Sequence, residues 1–293
     1  IDISEFYSKY SDSKDVLDEY VEFLISEEIC FIGSEEEKMR FPKMSLNWDE
    51  PSKITNGIID IDKKSDFDIF TSIKMLDDLN CLHLQIRIFE IIEYQKIIEI
   101  LEFIEKSSIR SLELICDFNN FKSENDILQF PEKYQRIGNL VVFNSPFEKI
   151  GNTEKRENYA LSFYSKNIKD STHCGFVSPS LFCKNQNHYF EAQNHNTCLN
   201  RKISIDVNGE IKNCPSMKKS FGNIKDTTLE EALNKQGFKY LWFINKDQVE
   251  VCKDCEFRYI CTDCRAFIQN PDNIYSKPVK CNYNPSTNEG FEI

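Results

Sequence analysis

From residue 54 to 164 the chain alternates between short apolar runs and longer amphipathic stretches. The runs at 54–61, 82–88, 110–116 and 138–143 are rich in Ile, Leu and Val and start about 28 residues apart. They read as strands, with 159–164 a weaker fifth. The clearest helix between them carries Tyr94, Ile97, Leu101 and Ile104 on one stripe. Strands alternating with helices predict βαβ units and a parallel sheet, hence an α/β fold built as a partial β/α barrel or an open sheet. Upstream, Leu17, Tyr20, Val21 and Leu24 share one face of a helix that Ser13 and Asp15 can cap. The apolar run 29–32 follows and Gly33 ends it, so a short strand is expected there. A helix followed by a strand closes a winged-helix module, or else forms a helical cap on the next domain.

The pattern changes after residue 164. Residues 165–197 are rich in Asn, Ser, His and Gln and read as a connection. Ile203, Ile205 and Val207 then alternate with polar residues up to Asn208-Gly209, and 210–213 returns. Asn-Gly between alternating runs predicts a hairpin. Thr227 and Thr228 each precede a Glu by three residues, which predicts a capped helix. Phe238, Leu241 and Trp242 are expected to pack.

The sequence has 293 residues, 40% hydrophobic and 29% charged, within the ordinary globular range. No apolar run approaches the roughly 20 residues of a spanning helix. The chain opens on Ile1 rather than Met, which leaves room for an absent first segment. The formal charge is −12, and the first forty residues hold twelve Asp and Glu against four Lys and Arg. That surface disfavours nucleic acid and anionic membranes as partners. There is no Gly-rich phosphate loop and no Gly-x-Ser-x-Gly turn, and no catalytic residue stands out.

Twelve cysteines carry the candidate chemistry. Seven lie at Cys198, Cys214, Cys252, Cys255, Cys261, Cys264 and Cys281, with Cys-x-x-Cys pairs at 252–255 and 261–264. This clustering points to metal or cluster binding rather than a disulfide framework, and so to a reducing, cytoplasmic setting. Cys30, Cys81 and Cys116 stand in apolar settings and are expected to be buried core thiols. His83, on a strand, is expected in the core, and His188 and His195 in exposed loop. Gly175, beside His173 and Cys174, permits a close backbone approach. Cys174 is therefore a candidate further ligand, with Cys183 its rival.

The spacing of Cys198, Gly209, Cys214, Cys252, Cys255, Cys261, Cys264 and Cys281 resembles the SPASM domain, the auxiliary iron–sulfur module of radical S-adenosylmethionine peptide-modifying enzymes. The stretches 198–216 and 252–265 are similar to SPASM-domain peptide maturases of grasp-with-spasm systems, which accompany an ATP-grasp ligase and a small ribosomally made precursor peptide. The resemblance divides the chain into a winged-helix-like leader-recognition remnant (1–48), a degenerate β/α barrel (49–170) and a SPASM domain (171–293). It implies two [4Fe–4S] clusters. Cys252, Cys255, Cys261 and Cys281 would hold one, and Cys198, Cys214, Cys264 and Cys174 or Cys183 the other. A zinc-stapled interaction protein is the alternative for the same thiols. Two residues, Thr262 and Asp263, precede Cys264 where the family has three. Radical enzymes also carry a Cys-x3-Cys-x2-Cys loop after the first barrel strand, here 62–68, and no such triplet exists in the chain. The resemblance therefore implies a non-radical accessory protein of ribosomal peptide (RiPP) maturation that binds the precursor peptide, the ligase or both. The other outcome is a peptide-modifying enzyme using an open auxiliary cluster.

Overall fold

The computed structural model describes residues 2–42, 44–47, 49–152 and 159–291. The chain forms two compact units, 1–46 and 47–293.

The first unit is helical: α1 (Ile3–Lys9), α2 (Lys14–Ser26) and α3 (Glu35–Lys38). Asp2 caps α1 by accepting from the Ser4 and Glu5 amides, and Ser34 and Glu37 form a reciprocal capping box on α3. Tyr7 Oη donates to Asp18 at 2.6 Å, tying α1 to α2. The strand expected at 29–32 does not form. The amides of Ile29 and Cys30 turn back onto the Leu24 carbonyl, at 2.9 and 3.1 Å, and so wrap the end of α2 instead of joining a ladder. No strand occurs among the described residues of this unit, and no winged helix is present there. Cys30 is exposed rather than a core thiol, and of the stripe on α2 only Leu17 is buried.

The second unit is built on one eight-stranded sheet, in the order β5-β6-β4-β3-β2-β1-β7-β8. The strands are β1 (Asn56–Ile61), β2 (His83–Ile88), β3 (Ser111–Asp117), β4 (Ile137–Phe143), β5 (Lys149–Asn152), β6 (Ala160–Phe163), β7 (Lys202–Ile205) and β8 (Ile211–Lys212). The six strands from β6 to β7 are mutually parallel, and β5 and β8 pair antiparallel at the two edges. The sheet is open, so the structure contains no closed barrel. Its helices are α4 (Ile69–Asp78), α5 (Tyr94–Ile104), α6 (Glu124–Lys133), α7 (Gln186–Asn194) and α8 (Leu229–Asn234). No helix among the described residues is long and apolar enough to cross a membrane.

Side chains alternate across a strand, and here the two faces differ sharply. One face carries Ile59, Leu84, Ile86, Leu112, Leu114, Leu140, Val142 and Ile203. These pack into a single core with Ile73 and Leu76 of α4, Ile97 and Leu101 of α5, and Ile127 and Phe130 of α6. The opposite face is largely polar. Register places Asp60 of β1 beside Arg87 of β2, Gln85 beside Glu113 of β3, and Glu113 beside Asn139 of β4. Glu113 accepts from Gln85 and, at 2.5 Å, from Asn139. Arg87 grips Asp60 through two hydrogen bonds of 2.6 and 2.7 Å, both residues being buried. His83 also lies on this face, exposed and 2.7 Å from Ser111 Oγ, and is not a core residue. Parallel sheets ordinarily bury both faces in apolar contacts.

The hairpin forms around Asn208-Gly209, with Gly209 at φ +80° in the left-handed region that suits glycine. Its first strand, β7, pairs in parallel with β1 over Asn56–Ile59, so residues 202–205 belong to the same sheet as residues 56–163.

Burial raises the Asp60 carboxyl to about 6, against the pull of Arg87. Replacing Arg87 with Met strands that carboxylate and is expected to cost about 3–5 kcal/mol near neutral pH. Without its partner Asp60 prefers the protonated form in the folded state more strongly still. The deficit should therefore shrink as pH falls through the folded-state pKa. Urea midpoints at about pH 8 and pH 5 test this, and the double variant Asp60→Leu/Arg87→Met should recover most of the loss.

Candidate functional site

The thiols of the last third of the chain gather in two places. Cys174, Cys198, Cys214 and Cys264 line one cavity of about 380 Å³, walled partly by Phe176 and Phe267 and entered by Arg87 and Lys202. Cys261 also reaches this cavity. Farther along the chain, Cys252 and Cys261 each feel Cys281 and the buried Lys246, and Cys255 feels Cys261 and Lys246. Cys183 is in neither group; its amide donates to Ile260 O at 2.8 Å and its sulfur accepts from Asn185.

Each position has a local cause. The loop carrying Cys174 is held by Lys280, whose ammonium donates to the carbonyls of Thr172 and, at 2.7 Å, Cys174. The same ammonium stands 4.5 and 4.3 Å from the ring centres of Phe176 and Phe267. Gly175, at φ +87°, lets this loop lie against Cys264; a Cβ there would stand 3.0 Å from the Cys264 sulfur. The close backbone approach at Gly175, expected toward a cluster, is made to the Cys264 thiol instead. Cys198 follows Asn196, whose side-chain oxygen accepts from the Cys198 and Leu199 amides at 3.1 and 2.9 Å.

Asn196 also joins the two groups of thiols. Its Nδ2 donates to Asp263 at 2.6 Å and to Ile244 O at 3.2 Å. Asp263 is 1% exposed and accepts from Arg265 at 2.7 Å, with Lys246 Nζ 3.9 Å away. Arg265 in turn donates to the carbonyls of Ile274 and Ser276. Thr262-Asp263, the short interval before Cys264, therefore places a carboxylate at the centre of this region.

Burial and the neighbouring cations act on these thiols in opposite directions. Burial lifts Cys214 to about 12 and Cys252 and Cys264 to about 11. Lys202 is half-buried, its Nζ standing 3.4 Å from Cys198 Sγ. Burial pulls its pKa down, but the neighbouring Cys198, Cys214 and Cys174 outweigh it and the net shift is upward. Lys246 is raised in the same way by Asp263, Cys261 and Cys252 against its burial.

This arrangement corrects the cofactor expectation. Among the described residues no three His, Cys, Asp or Glu side chains come together as a group that could hold a metal ion. Metal ligation requires thiolates around one point. Neither the two [4Fe–4S] clusters nor the zinc alternative fits this donor arrangement. All twelve cysteines are free, and Cys81 and Cys116 are buried in the core.

Sequence reasoning missed the cations and the carboxamide. Lys202 and Lys246 are ordinary lysines until the fold half-buries the one and buries the other, and Asn196 lay in a stretch read as polar connection. Part of that stretch is α7, capped by Asn185, and His188 and His195 at its start and end are half-buried rather than exposed.

A family model described as SPASM, an iron-sulfur cluster-binding domain, matches residues 197–256. No curated protein and no solved structure matches the chain. The matched segment includes β7, β8, α8 and four of the clustered cysteines: Cys198, Cys214, Cys252 and Cys255.

Two measurements check this description. Asp263→Ala removes the buried carboxylate that Arg265 and Asn196 share and should cost about 3–5 kcal/mol in denaturant unfolding. Timed alkylation of the native protein with iodoacetamide, mapped by mass, should label the exposed Cys30 and Cys174 first and the buried Cys81 and Cys116 last.

Proposed function

We propose that this chain is a non-radical accessory protein of ribosomal peptide maturation that binds the precursor peptide, an ATP-grasp ligase or both. The observation that carries this reading is the SPASM match at 197–256 in a chain whose first-strand loop lacks every thiol of the radical motif. That loop follows β1 and is closed on itself. The Lys64 amide donates to Asp62 Oδ1 at 2.7 Å, the Asp62 amide to Ser65 Oγ at 3.0 Å, and Ser65 Oγ to Val207 O at 2.8 Å. Cleavage of S-adenosylmethionine needs three thiolates there that leave one iron open, and this loop offers none.

The polar face of the sheet supports a binding role. The row Gln85, Glu113 and Asn139 is half-buried and presents amide and carboxylate groups suited to a peptide. A reducing, cytoplasmic setting belongs to the same reading, since all twelve cysteines are unpaired.

The test is immobilised full chain offered, separately, the precursor peptide and the ATP-grasp ligase of its producing organism. Saturable retention of either, weakened by Glu113→Ala for the peptide, is the expected result. Retention of neither would sink the proposal.

A further inference from the structure

Helix α2 presents an apolar stripe outward. Val16, Tyr20 and Phe23 recur at i, i+4 and i+7, so they share one face of the helix. They are 50, 62 and 54% exposed. Asp15, Glu19 and Glu22 run beside them as an acidic row on the same helix. Leu17 is the one buried residue among the described residues of 1–46, while Ile29, Phe31, Ile32, Met39 and Phe41 are exposed as well. Apolar exposure on this scale marks an interaction surface.

Charge decides what can cover it. Twelve acidic against four basic residues in the first forty repel a second copy of the same surface, an anionic bilayer and nucleic acid. A covering partner must supply both apolar side chains and cations. The stripe spans about 10 Å of helix, which is the length of an i, i+3/i+4, i+7 set of anchors on a facing helix.

We propose that the Val16–Tyr20–Phe23 stripe of α2, with its acidic flank, docks a basic amphipathic helical segment of a partner polypeptide. That segment carries Leu-type anchors at helical spacing, flanked by Lys or Arg. The inference stands apart from the function proposed above, because it uses only the surface of residues 14–26.

The test uses the full chain and a fluorescein-labelled helical peptide of about 18 residues, with one leucine face flanked by lysines. Two controls accompany it: the same peptide with Glu for Lys, and a scrambled peptide of identical composition. The lysine peptide should bind about tenfold or more tighter than either control. The variants Val16→Ala/Tyr20→Ala/Phe23→Ala and Asp15→Lys/Glu19→Lys/Glu22→Lys should each weaken it about tenfold or more. Alanine favours helix, and circular dichroism verifies that both variants remain folded. Glu102→Lys/Asp254→Lys/Asp272→Lys makes the same charge change at exposed sites elsewhere and should leave binding within about twofold. Several results overturn the proposal. These are no binding by the natural chain at about 100 µM, equal weakening by the remote variant, or indifference to the stripe variants. A concentration-dependent dimer that the alanine variant abolishes would also overturn it, since the occupant would then be a second copy.

Discussion

A carboxylate buried out of water must be held by donors, and Asp263 is held by three chain segments that share little regular secondary structure. Asn196 comes from the segment entering β7, Lys246 from the turn before the dense cysteine run, and Arg265 from just beyond it. Arg265 extends the hold to the carbonyls of Ile274 and Ser276. Past β8 the chain has one α-helix of six residues and a few short 3-10 turns, so ladders cannot organise it. A polar network of this kind specifies geometry while leaving little room for partial satisfaction. The thiols stand where they do because this network fixes the backbone on either side of them.

The sheet obeys a different constraint. Its helix-covered face is continuous aliphatic core; its other face pairs Asp60 with Arg87 and Asp206 with Lys212 at 2.6 Å, and hydrogen-bonds Glu113 to two amides. One face provides cohesion and the other chemistry, which lets a sheet of mostly parallel strands remain open on one side.

The periodic parts of the fold were legible because their causes are local. Strands β1 to β4 and β6 fall on the five apolar runs, α5 on its stripe, and Thr228-Glu231 caps α8. Failures came where a distant or competing partner decides. The run 29–32 has strand composition, yet its amides find Leu24 O before any strand. The polar stretch containing α7 has no apolar periodicity to announce a helix. The SPASM resemblance implied a set of Cys198, Cys214 and Cys264 with Cys174 or Cys183, but it carries no information on Lys202 or Lys246. The metal reading fails because, among the described residues, no three His, Cys, Asp or Glu side chains come together as a group that could hold an ion.

β7 lies between β1 and β8, and β1 would be an edge strand without it. The segment that matches the SPASM model thus supplies an interior strand of the sheet. Cutting the chain ahead of residue 202 would not release two modules. It would leave β1 with a row of unpaired amides and carbonyls, the usual template for edge-to-edge aggregation. The cysteine-bearing part of this chain is therefore not a detachable appendage, and insertions or fusions that preserve the fold must respect the pairing of residues 56–59 with 202–205.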